Sequence, residues 1–172
     1  MDFIAHLLWS WVIFAGPQVY WAIFFGVLPD FLPFGSHLVV YIVRRCKGMA
    51  QRRFYGNFPT MQSYFNLPEN QWVYRVYNYT HSLVVWFCVF CIGSLIGIFL
   101  KFFPWALFAW LVHICMDIPT HTARFFAPRF LTPINTKIHV NGISWAHPII
   151  MIVNYSCLIL VLLIRLHQYG II

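Results

Sequence analysis

The run from Leu83 to Leu100 contains no charged side chain and is long enough, as a helix, to cross the hydrocarbon core of a bilayer. A second such run extends from Pro148 to Leu166 and meets its first charge at Arg165. Hydrophobic residues make up 61% of the chain and charged residues 9%, whereas a soluble protein has roughly half and one quarter. The sequence therefore predicts an all-α fold, a small integral-membrane helical bundle in which residues 1–172 form one domain.

Helix-breaking residues interrupt the N-terminal apolar stretch. Gly16-Pro17 divides the run from Phe3 to Leu28 into two pieces. Pro29-Asp30 is expected to end the second piece, and Pro33 to Gly35 predict a turn. Pieces of roughly ten to thirteen residues are too short to cross the membrane, so we expect an N-terminal hairpin of short helices that is re-entrant or interfacial.

The remaining segments predict shorter helices around the two long runs. A short helix is expected over His37–Val43, and another is expected to begin near Pro68-Glu69 and to continue into the apolar run from Leu83 to Leu100. The segment from Pro104 to Ile118 is helical but short for a full span. Residues 119–146 are irregular and contain a turn or small hairpin. We thus expect about three spanning or near-spanning helices beside the N-terminal hairpin.

The net charge of +7 is concentrated in one segment. Arg44, Arg45, Lys47, Arg52 and Arg53 fall within ten residues, and the positive-inside rule places such a segment in the cytoplasm. A loop beside anionic lipid headgroups explains this group of basic residues more simply than binding to nucleic acid does. We therefore expect no nucleic-acid partner.

The stretch His113-Ile-Cys-Met-Asp117-Ile-Pro-Thr-His121 predicts a functional site. In a helix His113 and Asp117 project from one face, and Pro119 is expected to end or kink the helix just before His121. Imidazole and carboxylate groups are ligands for zinc and similar ions. An unpaired carboxylate costs on the order of 3 kcal/mol at the centre of a bilayer, and a bound metal ion would pair with it.

Six residues together form the candidate metal site. Asp30 ends one predicted helix, His81 begins another, and the 113–121 group ends a third, so these groups lie near one membrane interface. His6 reaches them only if the chain doubles back at Gly16-Pro17. The predicted ligands are His6, Asp30, His81, His113, Asp117 and His121.

Each of these residues also has a structural interpretation. A single histidine in an apolar helix is usually a satisfied core residue, Asp30 can cap the following turn, and Asp117 can pair with an arginine. All of these separate explanations would have to hold at the same time, whereas a single metal site accounts for the six residues together. His147, at the start of the last helix, is a weaker candidate, and Gly35 leaves the direction of His37 open.

Six segments of the chain resemble the membrane-bound metal-dependent hydrolases, also described as LexA-binding inner-membrane-associated hydrolases. These segments are Met1–His6, Gly26–Asp30, Phe34-Gly35, Thr80–Ser82, His113–His121 and Gly142–Trp145. The order of histidines and aspartates is also similar to that of zinc-dependent phospholipases C and the single-strand nucleases of their fold. Unlike those enzymes, this chain has no later His-x-x-x-Glu and no N-terminal tryptophan of the site.

The resemblance implies a metal-dependent hydrolase of a bacterial inner membrane, with its site facing the cytoplasm. One or two divalent ions, most simply zinc, would be held by the six residues above. Asp117, the candidate bridging ligand, and His121 are the residues expected to take part in catalysis. Arg75, Arg124 and Arg129 are candidates for binding a substrate phosphate, or alternatively for anchoring lipid headgroups.

The expected substrate is a lipid or lipid-linked ester or phosphoester, because the site is predicted at headgroup level. Two other classes of function stay open at this point. The chain can be a metal or haem carrier without hydrolytic activity, or a non-catalytic membrane scaffold that binds a partner protein.

Overall fold

The regular elements are helical throughout the part of the chain that the structure, a computed structural model, describes, namely residues 2–48, 64–123 and 126–168. This confirms the predicted all-α membrane bundle. The α-helices are α1 (Phe3–Ile13), α2 (Val19–Asp30), α3 (Ser36–Cys46), α4 (Gln71–Thr80), α5 (Leu83–Leu100), α6 (Leu107–Thr120) and α7 (Pro148–Gln168).

The predicted N-terminal hairpin is present. The Asp2 side chain caps α1 by accepting a hydrogen bond from the Ala5 backbone N–H at 2.8 Å. Gly16, with φ +146°, adopts a backbone conformation that side chains rarely allow, and the chain reverses there into α2. At Gly26 a side chain would collide with Ser10, so a residue without a Cβ lets α1 and α2 pack closely.

The prediction that the second arm ends at Pro29-Asp30, with a turn at Pro33 to Gly35, is wrong. Residues Phe31–Gly35 form a π-helical turn that joins α2 to α3, so helix continues from Val19 to Cys46 over 28 residues. Proline removes one backbone donor and crowds the preceding turn of an α-helix. The wider π turn accommodates Pro33 without ending the helix.

Three described helical segments are long and apolar enough to cross a membrane: Val19–Cys46, Leu83–Leu100 and Pro148–Gln168. The helices Phe3–Ile13 and Leu107–Thr120 are apolar but shorter. The third span is therefore the extended second arm of the hairpin, and the segment after Pro104 remains too short. Large apolar side chains such as Phe99 on α5, 84% exposed, cover the outside of the bundle, as expected for a surface in contact with lipid.

Helix α6 lies at the centre of the bundle, packed against α2 and α5. Trp86, Leu107, Trp110 and Ile114 form one apolar cluster between α5 and α6. Small residues on α2 and α6 allow their backbones to approach, as is typical of helix pairs in membranes. The last helix packs on α1, where Trp9 Nε1–H donates to Asn154 Oδ1 at 2.8 Å.

A second buried histidine lies on α3, and we call its surroundings the His37 cluster, formed by His37, Tyr64, Phe65 and Trp72. The His37 Nε2 and the Tyr64 hydroxyl are 3.2 Å apart. The three aromatic rings lie 5.2 to 6.2 Å from the imidazole, measured between ring centroids. This cluster joins α3 to the segment that leads into α4.

Candidate metal centre

The structure brings all six predicted ligands together in one buried group, which we call the His–Asp cluster. It is assembled from α1, α2, α6 and the junctions that follow α4 and α6. Asp117 and His81 are fully buried, and the least buried histidine of the group is 7% exposed. The members are His6, Asp30, His81, His113, Asp117 and His121.

Asp117 is the centre of the cluster, and its two oxygen atoms face different histidines. Oδ1 lies 3.0 Å from His6 Nε2 and 3.5 Å from His121 Nδ1. Oδ2 lies 3.2 Å from His81 Nε2 and 3.3 Å from His113 Nε2. Because the helix places His113 one turn before Asp117, the motif spacing positions one of these contacts directly.

Asp30 extends the same group from α2. Its Oδ1 lies 3.4 Å from His81 Nε2 and 3.9 Å from His113 Nε2. The Nε2 atoms of His81 and His113 are 3.0 Å apart. Two nitrogen ligands bound to one tetrahedral zinc at about 2.05 Å are themselves roughly 3.3 Å apart, so these separations fit donors around an ion.

The donor set can therefore hold a metal ion. Four donor atoms lie within 4.8 Å of one another, one each from His6, Asp30, His113 and Asp117. His81 Nε2 lies within 3.4 Å of donors from three of the cluster's other residues. His6 Nδ1 is buried and has no hydrogen-bond partner among the described residues, so hydrogen bonds within this part of the chain do not satisfy the group.

Backbone carbonyl groups from neighbouring turns and helices orient the imidazoles of His113 and His81. His113 Nδ1–H donates to the Gly26 carbonyl at 2.6 Å, and His81 Nδ1–H donates to the Tyr77 carbonyl at 3.0 Å. A histidine that donates from Nδ1 is left with a lone pair on Nε2 when neutral. Metal-binding histidines are usually held in this way, with the second ring nitrogen bonded to a carbonyl or carboxylate.

The two carboxylates of the cluster favour the protonated form of His81. Burial lowers the pKa of His81, but its hydrogen bonds to Asp117 and Asp30 outweigh burial and raise that pKa to about 9. Protonated His81 therefore balances part of the negative charge of the two carboxylates. Binding a metal through His81 Nε2 requires loss of this proton.

His121 lies at the edge of the cluster. Its Nδ1–H donates to the Asp117 backbone carbonyl at 3.1 Å, and the same nitrogen is 3.5 Å from Oδ1 of that residue. Burial lowers the pKa of His121 to about 4, although the nearby Asp117 opposes the shift. The imidazole is therefore neutral near pH 7 and can act as a ligand or accept a proton at the rim of the site.

A backbone pairing fixes the turn that carries His121. Gly142 N–H donates to the His121 carbonyl at 2.8 Å, and Ile143 N–H donates to the Pro119 carbonyl at 2.9 Å. A Cβ at Gly142 would collide with the Pro119 carbonyl, so glycine allows this close approach. The irregular segment before α7 therefore holds the end of α6 in place.

Two groups that support His81 were not predicted from the sequence. The Tyr77 ring stacks on the His81 ring, with centroids 3.8 Å apart. Trp110 Nε1–H donates to the Thr80 carbonyl at 2.6 Å, next to His81. Tyr77 precedes His81 by one helical turn, which is the only signal in the sequence for this contact.

The other candidates lie outside the His–Asp cluster. His37 belongs to the separate cluster described above, and His147 is exposed. Arg75 and Arg129 are exposed and line a cavity next to the cluster. Arg124, the third predicted phosphate-binding residue, lies outside the described residues.

Comparisons of this chain with protein-family models, with curated proteins and with solved structures give no match. A function must therefore be inferred from the residues and geometry of the chain itself. Those residues establish two coarse properties, namely helices suited to a membrane and a buried group that can hold a metal ion.

Proposed function

We propose that this chain is a membrane-bound, metal-dependent hydrolase of a lipid or lipid-linked ester or phosphoester. The observation that carries the proposal is that the two carboxylate oxygens of Asp117 face different histidines. Oδ1 faces His6 and His121, and Oδ2 faces His81 and His113. A carboxylate with histidines beside each oxygen is suited to bridge two ions, or to hold one with an open position. Zinc is the simplest assignment for nitrogen and oxygen ligands of this kind.

Such an ion, when bound, supplies a nucleophilic hydroxide at neutral pH and polarises the substrate oxygen. His6, Asp30, His81, His113 and Asp117 would hold it. His121 is neutral near pH 7 and lies at the rim, so its role would be to accept a proton from the attacking water or to complete the ligand set. Burial of the cluster excludes bulk water from the ion's ligands.

The position of the cluster supports a membrane substrate. His81 lies just before α5, a candidate span, so the cluster is beside one end of that helix. Lys101 follows the other end of α5. The basic residues Arg44 and Arg45 lie in the last turn of α3, and the positive-inside rule favours a cytoplasmic location for that end of α3. A bacterial inner membrane remains part of this proposal.

The geometry does not favour the haem-carrier alternative. The rings of His6 and His113 are stacked with centroids 3.6 Å apart, which leaves no space for a macrocycle between them. Haem ligation also gives no function to the two carboxylates within the same group.

Metal content tests the proposal. Wild-type protein purified in detergent is analysed by mass spectrometry beside Asp117→Ala and the control Glu69→Ala, which removes an exposed acid outside the cluster. We expect one or two equivalents of zinc, iron or manganese in the wild type and the control, and loss of that metal in Asp117→Ala. Metal-loaded protein is then assayed on lipid ester and phosphoester substrates.

Absence of metal from the wild type, even after reconstitution with each ion, would overturn the proposal. That result would favour a non-catalytic membrane protein in which the histidines are structural. Metal that binds stoichiometrically without any hydrolysis of the substrate panel would favour a metal carrier.

A further inference from the structure

A cavity of about 410 Å³ adjoins the His–Asp cluster. Tyr77, whose ring stacks on His81, forms part of its wall, and so does Ala123, two residues after His121. The other described residues that line it and bear on its chemistry are Asn66, Gln71, Arg75, Asn78, Arg129 and His139.

The lining is polar and basic. Arg75 and Arg129 bring two guanidinium groups from separate segments, one from α4 and one from the irregular region before α7. Asn66, Gln71 and Asn78 add amide groups that can donate hydrogen bonds. None of the chain's four acidic residues is among the lining residues, so no carboxylate neutralises the arginines within the cavity.

One wall of the cavity is aromatic. Tyr74 and Phe126 stack with ring centroids 4.4 Å apart, and Phe126 lies 5.1 Å from Tyr77. These rings hold together the two segments that carry the arginines, because Tyr74 precedes Arg75 and Phe126 precedes Arg129 in the chain. The backbone segments that carry Arg75 and Arg129 are therefore held together beside the His–Asp cluster.

From this arrangement we infer that the cavity binds a phosphoryl group of the substrate. Guanidinium groups match phosphate oxygens in geometry and charge, and amide donors complete such sites. The inference rests on the proposed function, because it specifies that the substrate of the proposed hydrolase is phosphorylated. The phosphoryl group would lie in the cavity, with the Tyr77 ring between it and His81. A phosphoryl group in the cavity belongs either to a lipid headgroup or to a soluble phosphate ester.

Binding measurements on the double variant Arg75→Gln/Arg129→Gln test this site. The matched control is Arg165→Gln, which removes one partly buried arginine near the end of α1, where its guanidinium donates to the Ile13 carbonyl. The probes are inorganic phosphate and glycerol 3-phosphate by calorimetry, and nanodiscs containing phosphatidic acid or only phosphatidylcholine. We expect the double variant to bind phosphate-bearing probes about tenfold or more weakly, and the control to bind as the wild type does.

The two sources of phosphate give different patterns, both of which support the cavity. Binding of glycerol 3-phosphate in detergent indicates a soluble ester, and arginine-dependent enrichment of phosphatidic acid alone indicates a lipid headgroup. Equal affinities of the double variant and Arg165→Gln for every probe would overturn the inference.

Asp117→Ala separates this inference from the proposed function. Phosphate binding that persists in Asp117→Ala, after its metal is lost, assigns the anion to the arginines. Loss of phosphate binding in folded Asp117→Ala assigns the anion to the metal and overturns the cavity site. If the wild type holds no metal but binds phosphate through the arginines, the hydrolase proposal fails and the anion site stands.

Discussion

The protein contains two buried histidine clusters, and they differ in the groups that surround the imidazoles. The His37 cluster consists of aromatic rings and one tyrosine hydroxyl 3.2 Å from the imidazole. The His–Asp cluster sets four imidazoles and two carboxylates against one another at separations of about 3 to 4 Å. Burial is nearly complete in both, since His37 is 3% exposed and His113 is 1% exposed.

The comparison shows that burial alone does not identify a functional histidine. His37 packs against aromatic rings and has neutral polar neighbours, the Tyr64 hydroxyl and the Asn70 side chain, whereas His113 donates from Nδ1 to a carbonyl and directs Nε2 at several other donors. Several donors directed at one point form a ligand site, and a single satisfied donor does not. Variants in the two clusters test this distinction, from the largest expected effect to the smallest.

The largest contrast is expected between His113→Gln and His37→Gln. Loss of an outer-shell partner already costs roughly 10- to 100-fold in metal affinity, so loss of the ligand His113 should cost more than about 100-fold. His37→Gln should leave metal affinity unchanged within about twofold. Competition with a fluorescent chelator measures both values, and equal losses in the two variants would contradict the distinction between the clusters.

Metal removal should destabilise the wild type but not a variant that lacks the site. An ion present at 100 times its dissociation constant stabilises the folded state by about 2.7 kcal/mol. Chelation should therefore lower the thermal midpoint of the wild type and of His37→Gln, and leave that of Asp117→Asn unchanged. Differential scanning fluorimetry in detergent measures these shifts. A chelator effect of equal size in Asp117→Asn would place the stabilising ion elsewhere.

The affinity for metal should rise with pH until about pH 9. Because the pKa of His81 is raised to about 9, this residue carries a proton at lower pH that must leave before Nε2 binds an ion. Affinity should increase about tenfold for each pH unit between pH 7 and 9 and then level off. His121 is already neutral in this range, because its pKa is about 4.

Calorimetry in buffers of different ionisation enthalpy checks this dependence. We expect release of one proton per ion from the wild type at pH 7, and the same from His37→Gln. An affinity that does not change between pH 7 and 9 would exclude His81 as a ligand.

The smallest effect is expected for Tyr64→Phe. Removing the hydroxyl near His37 Nε2 deletes one buried hydrogen-bonding group, which typically costs about 1 kcal/mol of stability. Metal content should stay at the wild-type level. Unfolding in detergent measures the first quantity and mass spectrometry the second. Loss of metal in this variant would show that the two clusters depend on each other.

Local spacing was sufficient to predict much of the fold and the composition of the site. The break at Gly16-Pro17 predicted the hairpin that brings His6 to Asp117. The four-residue spacing of His113 and Asp117 predicted that both lie on one face of their helix. The apolar run from Leu83 to Leu100 is a helix with these bounds, whereas the helix expected to run into it from Pro68-Glu69 is interrupted at His81-Ser82.

The features that the sequence did not predict depend on contacts between distant segments. Continuation of the helix through Pro33 requires a π turn supported by neighbouring helices, whereas proline by itself predicts an end. The carbonyl that orients His113 belongs to Gly26, on a different helix, and carries no side-chain signal. The arginine-lined cavity arises only when α4 and the region before α7 are packed together.

The π turn at Phe31–Gly35 sets the rotational phase between the two clusters. Asp30 and His37 are seven residues apart, a spacing that places both side chains on one face of an uninterrupted α-helix. The π turn takes up one additional residue, so the beginning of α3 is rotated by about 100° from the direction that it would have in an uninterrupted α-helix. A regular α-helix of the same length through these residues would turn His37 away from Tyr64 while Asp30 kept its place. One helix thus serves two differently directed clusters because a π turn, rather than an α-helical turn, joins its two parts.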